Sequence, residues 1–100
     1  RRRNLIVELA KDIPGLEVNV PQGAFYLFPK CSSFFGKTDG TTVINNSTDF
    51  ALYLLEKAHV ATVAGDAFGD PDCFRMSYAT SDDNIREAMR RIKEVLAVLK

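Results

Sequence analysis

The sequence predicts a single α+β domain of two layers, with helices packed on a small, mostly antiparallel sheet. Three observations predict it. Apolar residues recur at helical spacing at both ends of the chain and once in the middle. Short alternating or aromatic segments lie between them, bounded by Gly, Pro and Asp. The resulting order is helix, two strands, helix, strand, strand, helix, with no internal repeat and no low-complexity linker, so residues 1–100 read as one domain.

The first helix is expected over Arg1–Ile13, where Ile6, Leu9, Ala10 and Ile13 form an apolar stripe and Pro14-Gly15 stops it. No capping residue precedes Arg1-Arg2-Arg3, a pattern expected of a cut inside a longer helix. Leu16, Val18 and Val20 alternate, Pro21-Gln22-Gly23 makes a turn, and Phe25-Tyr26-Leu27-Phe28 is an aromatic strand ended by Pro29, so a hairpin is expected. Four large side chains in a row read as core. Gly36-Lys37-Thr38 lacks the upstream glycine of a phosphate-binding loop, because that position is Cys31. Asn45-Asn46-Ser47-Thr48 contains two glycosylation patterns but reads better as a helix start capped by Asn46 or Ser47. The second helix is expected over Phe50–Ala58, with Ala51, Leu54, Leu55 and Ala58 on one face, and His59 as the C-terminal cap. Val60–Val63 is a strand. Ser81 caps the last helix, Asp82 and Asp83 favour its first turn, and Ile85, Ala88, Met89, Ile92, Leu96 and Leu99 make its buried stripe. The opposite face, with a Glu87–Arg91 pair, is a solvated surface.

Composition narrows the functions. Formal net charge is zero, so no electrostatic footprint for nucleic acid or an anionic membrane is visible. No apolar run approaches membrane-spanning length, and the start does not read as a signal peptide. One histidine, His59, and two distant cysteines, Cys31 and Cys73, make a metal site unexpected and reduced, cytoplasmic thiols the default.

The remaining chemistry lies in Val63–Ser81, a strand that breaks at Gly65, loops through Gly69-Asp70-Pro71 and becomes a second strand. There Phe74, Met76 and Tyr78 share one side. Cys73, Arg75, Ser77 and Ala79 share the other. Arg75 is the only large group on its side. A guanidinium on a rigid strand among small neighbours is a fork for a carboxylate, or else an arginine paired with an acid or solvated at the surface.

Ala64-Gly65-Asp66-Ala67-Phe68-Gly69 followed by Phe74-Arg75-Met76-Ser77-Tyr78-Ala79 resembles the C-terminal signature of fold-type I, pyridoxal-phosphate-dependent class I aminotransferases, nearest to the aspartate and prephenate branch. Pro21-Gln22-Gly23-Ala24-Phe25-Tyr26 is similar to the family's Pro-x-Gly-x-Phe-Tyr. One departure is Ala64, where the family usually has proline. The resemblance covers the whole chain. It implies the C-terminal small domain of a larger, dimeric enzyme, whose pyridoxal-phosphate-binding large domain is absent from this sequence. It also implies that Arg75 binds the substrate α-carboxylate and that Phe25 lies near the substrate side chain. The cofactor needs a lysine for its Schiff base, and none of Lys11, Lys30, Lys37, Lys57, Lys93 and Lys100 sits in the family's Ser-Lys context. The chain is therefore not expected to bind the cofactor or transaminate alone. Its substrates would be an amino acid and a 2-oxo acid. The competing reading is a self-standing, non-enzymatic α+β module that binds a small carboxylate or a protein partner.

Overall fold

The computed structural model describes residues 2–18, 26–77 and 81–100. Three helices, α1 (Arg2–Lys11), α2 (Ser47–Tyr53) and α3 (Asp82–Ala97), accompany three short strands, β1 (Tyr26–Leu27), β2 (Val63–Ala64) and β3 (Phe74–Ser77). The strands form one antiparallel sheet in the order β1-β3-β2, with Tyr26 opposite Ser77 and Val63 opposite Arg75. The α+β class is as expected.

Alternation along β3 sends Phe74 and Met76 to the inner side, where they join Leu27 from β1 in one continuous core. Helices α1 and α3 line that core with Ile6, Ala10, Ile85, Met89, Ile92 and Leu96. At its centre Phe50 stacks obliquely on Phe74, with ring centroids 4.9 Å apart, and on Phe34 at 5.6 Å. The apolar stripes expected of the outer helices are the buried ones, apart from Leu9 and Ala88, which are half-buried. Helix α1 ends at Lys11, two residues before the expected Ile13, which is buried in the following turn.

The second helix differs from expectation. It starts earlier, at Ser47, because the Asn46 side chain accepts a hydrogen bond from the Asp49 amide at 2.8 Å. Its buried face is Ser47, Phe50, Tyr53, Leu54 and Ala58, while Ala51 is half-buried and Leu55 is 49% exposed. Two aromatic rings bury more area than a leucine and an alanine, so the helix turns Phe50 and Tyr53 inward at the expense of Leu55. Tyr53 completes its burial by donating its hydroxyl to the Val95 carbonyl of α3 at 2.7 Å. The last turn, Leu54–Ala58, widens to π-helical spacing. His59 closes it in the left-handed conformation (φ 57°, ψ 37°), and its amide donates to Leu54 O. The capping role of His59 is the expected one.

The hairpin is met in part. Glu17 and Lys30 pair antiparallel through both backbone bonds, at 3.3 and 2.8 Å. Strand β1 then pairs with β3. The turn itself, residues 19–25, lies outside the described residues. The aromatic strand is not uniformly core, because Leu27 is buried whereas Tyr26 and Phe28 are 39% and 43% exposed. A strand two residues wide at a sheet edge can bury one side only.

Ser81 caps α3 as expected, accepting from the Asn84 amide at 3.2 Å. On the solvent face Glu87 gathers two arginines. Arg90 Nη2 lies 2.7 Å from Glu87 Oε2, and Arg91 Nε lies 2.8 Å from the same oxygen. Hydrogen bonds from Arg90 first, then Arg91, hold the Glu87 carboxyl down at about 2, against an ordinary 4.5. A group whose pKa is depressed on folding stabilises the fold above its unfolded pKa and loses that contribution as the pH falls. Resistance to urea unfolding is therefore expected to fall from pH 4.5 toward pH 2. In Glu87→Gln that part of the slope disappears. The difference should shrink in high salt, since the pairs are exposed.

Candidate substrate-carboxylate site

The outer face of the sheet carries Arg75. It projects from the middle of β3 on the side opposite Phe74 and Met76, and is half-buried. Tyr26 stands opposite Ser77, two residues along β3 from Arg75, so its ring is a diagonal neighbour on the same face. The guanidinium carbon lies 4.5 Å from the centre of the Tyr26 ring and 5.8 Å from that of Phe68. Phe68 in turn meets Phe28 edge-to-face, at 5.6 Å and 84°. Two aromatic rings therefore flank the guanidinium. Ion pairs among the described residues engage Lys30, Arg90, Arg91 and Lys93. None pairs a described carboxylate with Arg75. Of the readings the sequence left open for Arg75, an arginine paired with an acid among the described residues does not describe this environment.

The loop that brings Phe68 here is tightly closed. Gly65 begins a short helical turn, Gly65–Phe68, ended by Gly69 in the left-handed conformation. The Gly65 amide donates to Cys73 O at 2.8 Å, and the Asp70 amide donates back to Gly65 O at 2.9 Å. The far side of the turn is tied to α2. The Asp66 amide donates to Ser47 Oγ at 3.1 Å, and Thr48 Oγ1 donates to Asp66 Oδ2 at 2.9 Å.

Phe25, the second expected site residue, lies outside the described residues, as does the Pro21–Ala24 motif before it. Tyr26, Phe28 and Phe68 were not singled out from sequence. Strict alternation about the buried Leu27 is the signal that separates Tyr26 and Phe28 from the core. No comparable signal exists for Phe68, which reaches Arg75 through a loop.

Cys31 and Cys73 come together. Lys30 pairs with Cys73, and the Cys31 amide donates to Asp72 O at 2.8 Å. Both cysteines are free and buried. Burial, and then the neighbouring Cys73, push the Cys31 thiol up to about 12. Burial, and then Asp70, push Cys73 up to about 11. Thiolate is the reactive form, so neither thiol is expected to react with a disulfide reagent at pH 8 until the protein is unfolded in urea, when two thiols per chain are released. A fast native reaction would contradict this burial.

A pyridoxal cofactor requires a lysine amine and an acid on its ring nitrogen. Lys11, Lys57 and Lys100 are exposed. Lys30 reaches Glu17 at 3.9 Å, Lys93 binds Asp12 at 2.7 Å, and Lys37 lies over the Phe34 ring. A cleft of about 380 Å³ beside Ile13, Phe34 and Leu96 has Lys37 and Lys93 at its rim, but its lining contains neither an acid nor Arg75. The described residues do not fit the cofactor. Among them no cluster suits a metal ion, and no helix is long and apolar enough to cross a membrane.

The small α+β fold with its arginine-bearing sheet is shared with known proteins, and comparison with them gives its family. The chain belongs to the aminotransferase class I and II family, whose model matches residues 1–92. It is 47% identical over 100 residues to the bifunctional aspartate aminotransferase and glutamate/aspartate-prephenate aminotransferase of Petunia hybrida, covering 99% of this chain and 21% of that protein. It is 50% identical over 93 residues to the aspartate aminotransferase of Rhizobium meliloti, covering 92% and 23%. The crystal structure of the aspartate aminotransferase from Rhizobium meliloti superposes with a TM-score of 0.96 at 48% identity, over all of this chain and 25% of that one. The alanine aminotransferase from Pyrococcus furiosus matches with a TM-score of 0.82 at 33% identity, over 96% and 23%. The chain thus spans about a fifth to a quarter of the length of these relatives.

Proposed function

We propose that this chain is the C-terminal small domain of a dimeric aspartate/prephenate-type aminotransferase, and that Arg75 holds the α-carboxylate of the amino acid and 2-oxo acid substrates. The observation that carries this reading is the half-buried Arg75 guanidinium, flanked by Tyr26 and Phe68, with no described carboxylate against it. Its planar fork offers two parallel N–H donors to a carboxylate. The flanking rings restrict the plane of that fork, so less rotational freedom is lost when substrate arrives. Gripping the carboxylate fixes how the substrate's Cα–H bond is presented to the chemistry elsewhere in the enzyme. Phe25 completes the reading as a neighbour of the substrate side chain.

Pyridoxal phosphate, which the family implies, supplies the electron sink for transamination. Its lysine and its acid belong to the remainder of the enzyme, and the small domain alone is inactive. The test is on the full-length enzyme. Amino transfer from L-aspartate to 2-oxoglutarate, with the visible absorbance of bound cofactor, supports the reading. A full-length protein that binds no pyridoxal phosphate overturns it. The role of Arg75 is tested separately by its replacement with lysine.

A further inference from the structure

We propose that the Ser47 and Thr48 hydroxyls are positioning residues for the carboxylate site. By tethering Asp66 they fix the Gly65–Phe68 turn, and so the place of Phe68 against Arg75. The inference rests on the reading of Arg75 as the carboxylate anchor.

Three observations carry it. The first is that neither hydroxyl is needed to start α2. Asn46 already caps the helix, through the Asp49 amide at 2.8 Å. The second is that Ser47 is fully buried, with 0% of its surface exposed, yet it is polar. Burying a hydroxyl costs free energy unless it is bonded, and alanine would pack there without that cost. The Ser47 oxygen accepts the Asp66 amide at 3.1 Å, across 19 residues of sequence. The third is that Thr48 donates to the Asp66 carboxylate at 2.9 Å, at an exposed position where such a bond adds little to stability. Both bonds end on the same loop residue, two positions before Phe68. The ring of Phe68 is then held at 5.8 Å from the Arg75 guanidinium and edge-on to Phe28. The start of α2 thereby sets one wall of the guanidinium's slot without touching substrate.

The experiment compares Thr48→Val, Ser47→Ala and Thr48→Ser with Arg75→Lys in the full-length enzyme, with L-aspartate as substrate. Thr48→Val and Ser47→Ala are each expected to raise KM about three- to tenfold, the effect of one lost hydrogen bond. The value of kcat should stay within about twofold, because Arg75 itself is intact and, once substrate is bound, still grips and orients the carboxylate. Thr48→Ser keeps the hydroxyl and should keep the wild-type KM. Thr48→Val should unfold at the wild-type temperature, since its position is exposed and its shape unchanged. If Arg75→Lys is impaired while Thr48→Val and Ser47→Ala leave KM unchanged, the tether has no positioning role. The same conclusion follows if Thr48→Ser is as impaired as Thr48→Val. If Arg75→Lys itself keeps wild-type kinetics, the carboxylate reading fails and this inference falls with it.

Discussion

Arg75→Lys in the full-length enzyme is expected to lower kcat/KM for aspartate by about two to three orders of magnitude, with the cofactor still bound. Truncating one partner of a buried, hydrogen-bonded charge pair costs about 2–5 kcal/mol, and every 1.4 kcal/mol is about tenfold. Lysine keeps the charge, so a role in which Arg75 only supplies positive potential predicts a small loss. The geometry argues for the large one. A guanidinium beside two rings presents a planar edge with paired donors; an ammonium on a flexible stem does not. Tyr26, with its ring centre 4.5 Å from the guanidinium carbon, contributes to this through a cation–π contact. Steady-state kinetics together with the cofactor's absorbance check the prediction. A loss of activity accompanied by loss of cofactor would point to misfolding. Wild-type kinetics in Arg75→Lys would remove Arg75 from the substrate site.

The helices at the two ends of the chain and the cap residues were legible because their signals are local. Ser81 before two aspartates, Asn46 three residues before Asp49, and His59 after the last turn of α2 each announce a backbone geometry that neighbouring residues already determine. The inner and outer sides of β3 were legible for the same reason, since alternation needs only the strand itself. What could not be read depends on competition or on distance in sequence. The face of α2 was misassigned because apolar spacing treats Ala51, Leu55, Phe50 and Tyr53 as equals, whereas burial rewards the rings. Tyr26 and Phe28 read as core because a run of aromatics does not say how many layers will cover it. The candidate site was half legible. Arg75 stood out as one large group among small neighbours. Its two flanking rings come from β1 and from a loop, and the bonds that place that loop cross 18 and 19 residues, to Thr48 and Ser47. No periodicity records such contacts.

Gly65→Ala is expected to be the most damaging single-methyl change in this region, destabilising the protein by about 3 kcal/mol, the upper end for overpacking. A Cβ at Gly65 would lie 1.7 Å from the Asp70 carbonyl oxygen and 2.3 Å from that of Cys73. Neither atom can yield cheaply. Cys73 O accepts the Gly65 amide at 2.8 Å, and Asp70 O accepts the Cys73 amide at 3.1 Å, so relief on one side breaks a bond on the other. Gly69 is the internal control. Its φ of 82° penalises alanine, but an added Cβ meets nothing within 4 Å, so Gly69→Ala should cost only the left-handed backbone term, about 1–2 kcal/mol. The ordering separates close approach from backbone strain as the reason for a glycine. It also reaches the site, because a turn pushed off β3 carries Phe68 away from Arg75. Gly65→Ala should therefore raise the KM for aspartate in whatever fraction stays folded, and Gly69→Ala should raise it less. Urea unfolding and initial-rate kinetics on the two variants decide it. Equal destabilisation would mean that the turn does not pack against the start of β3 as closely as these distances require.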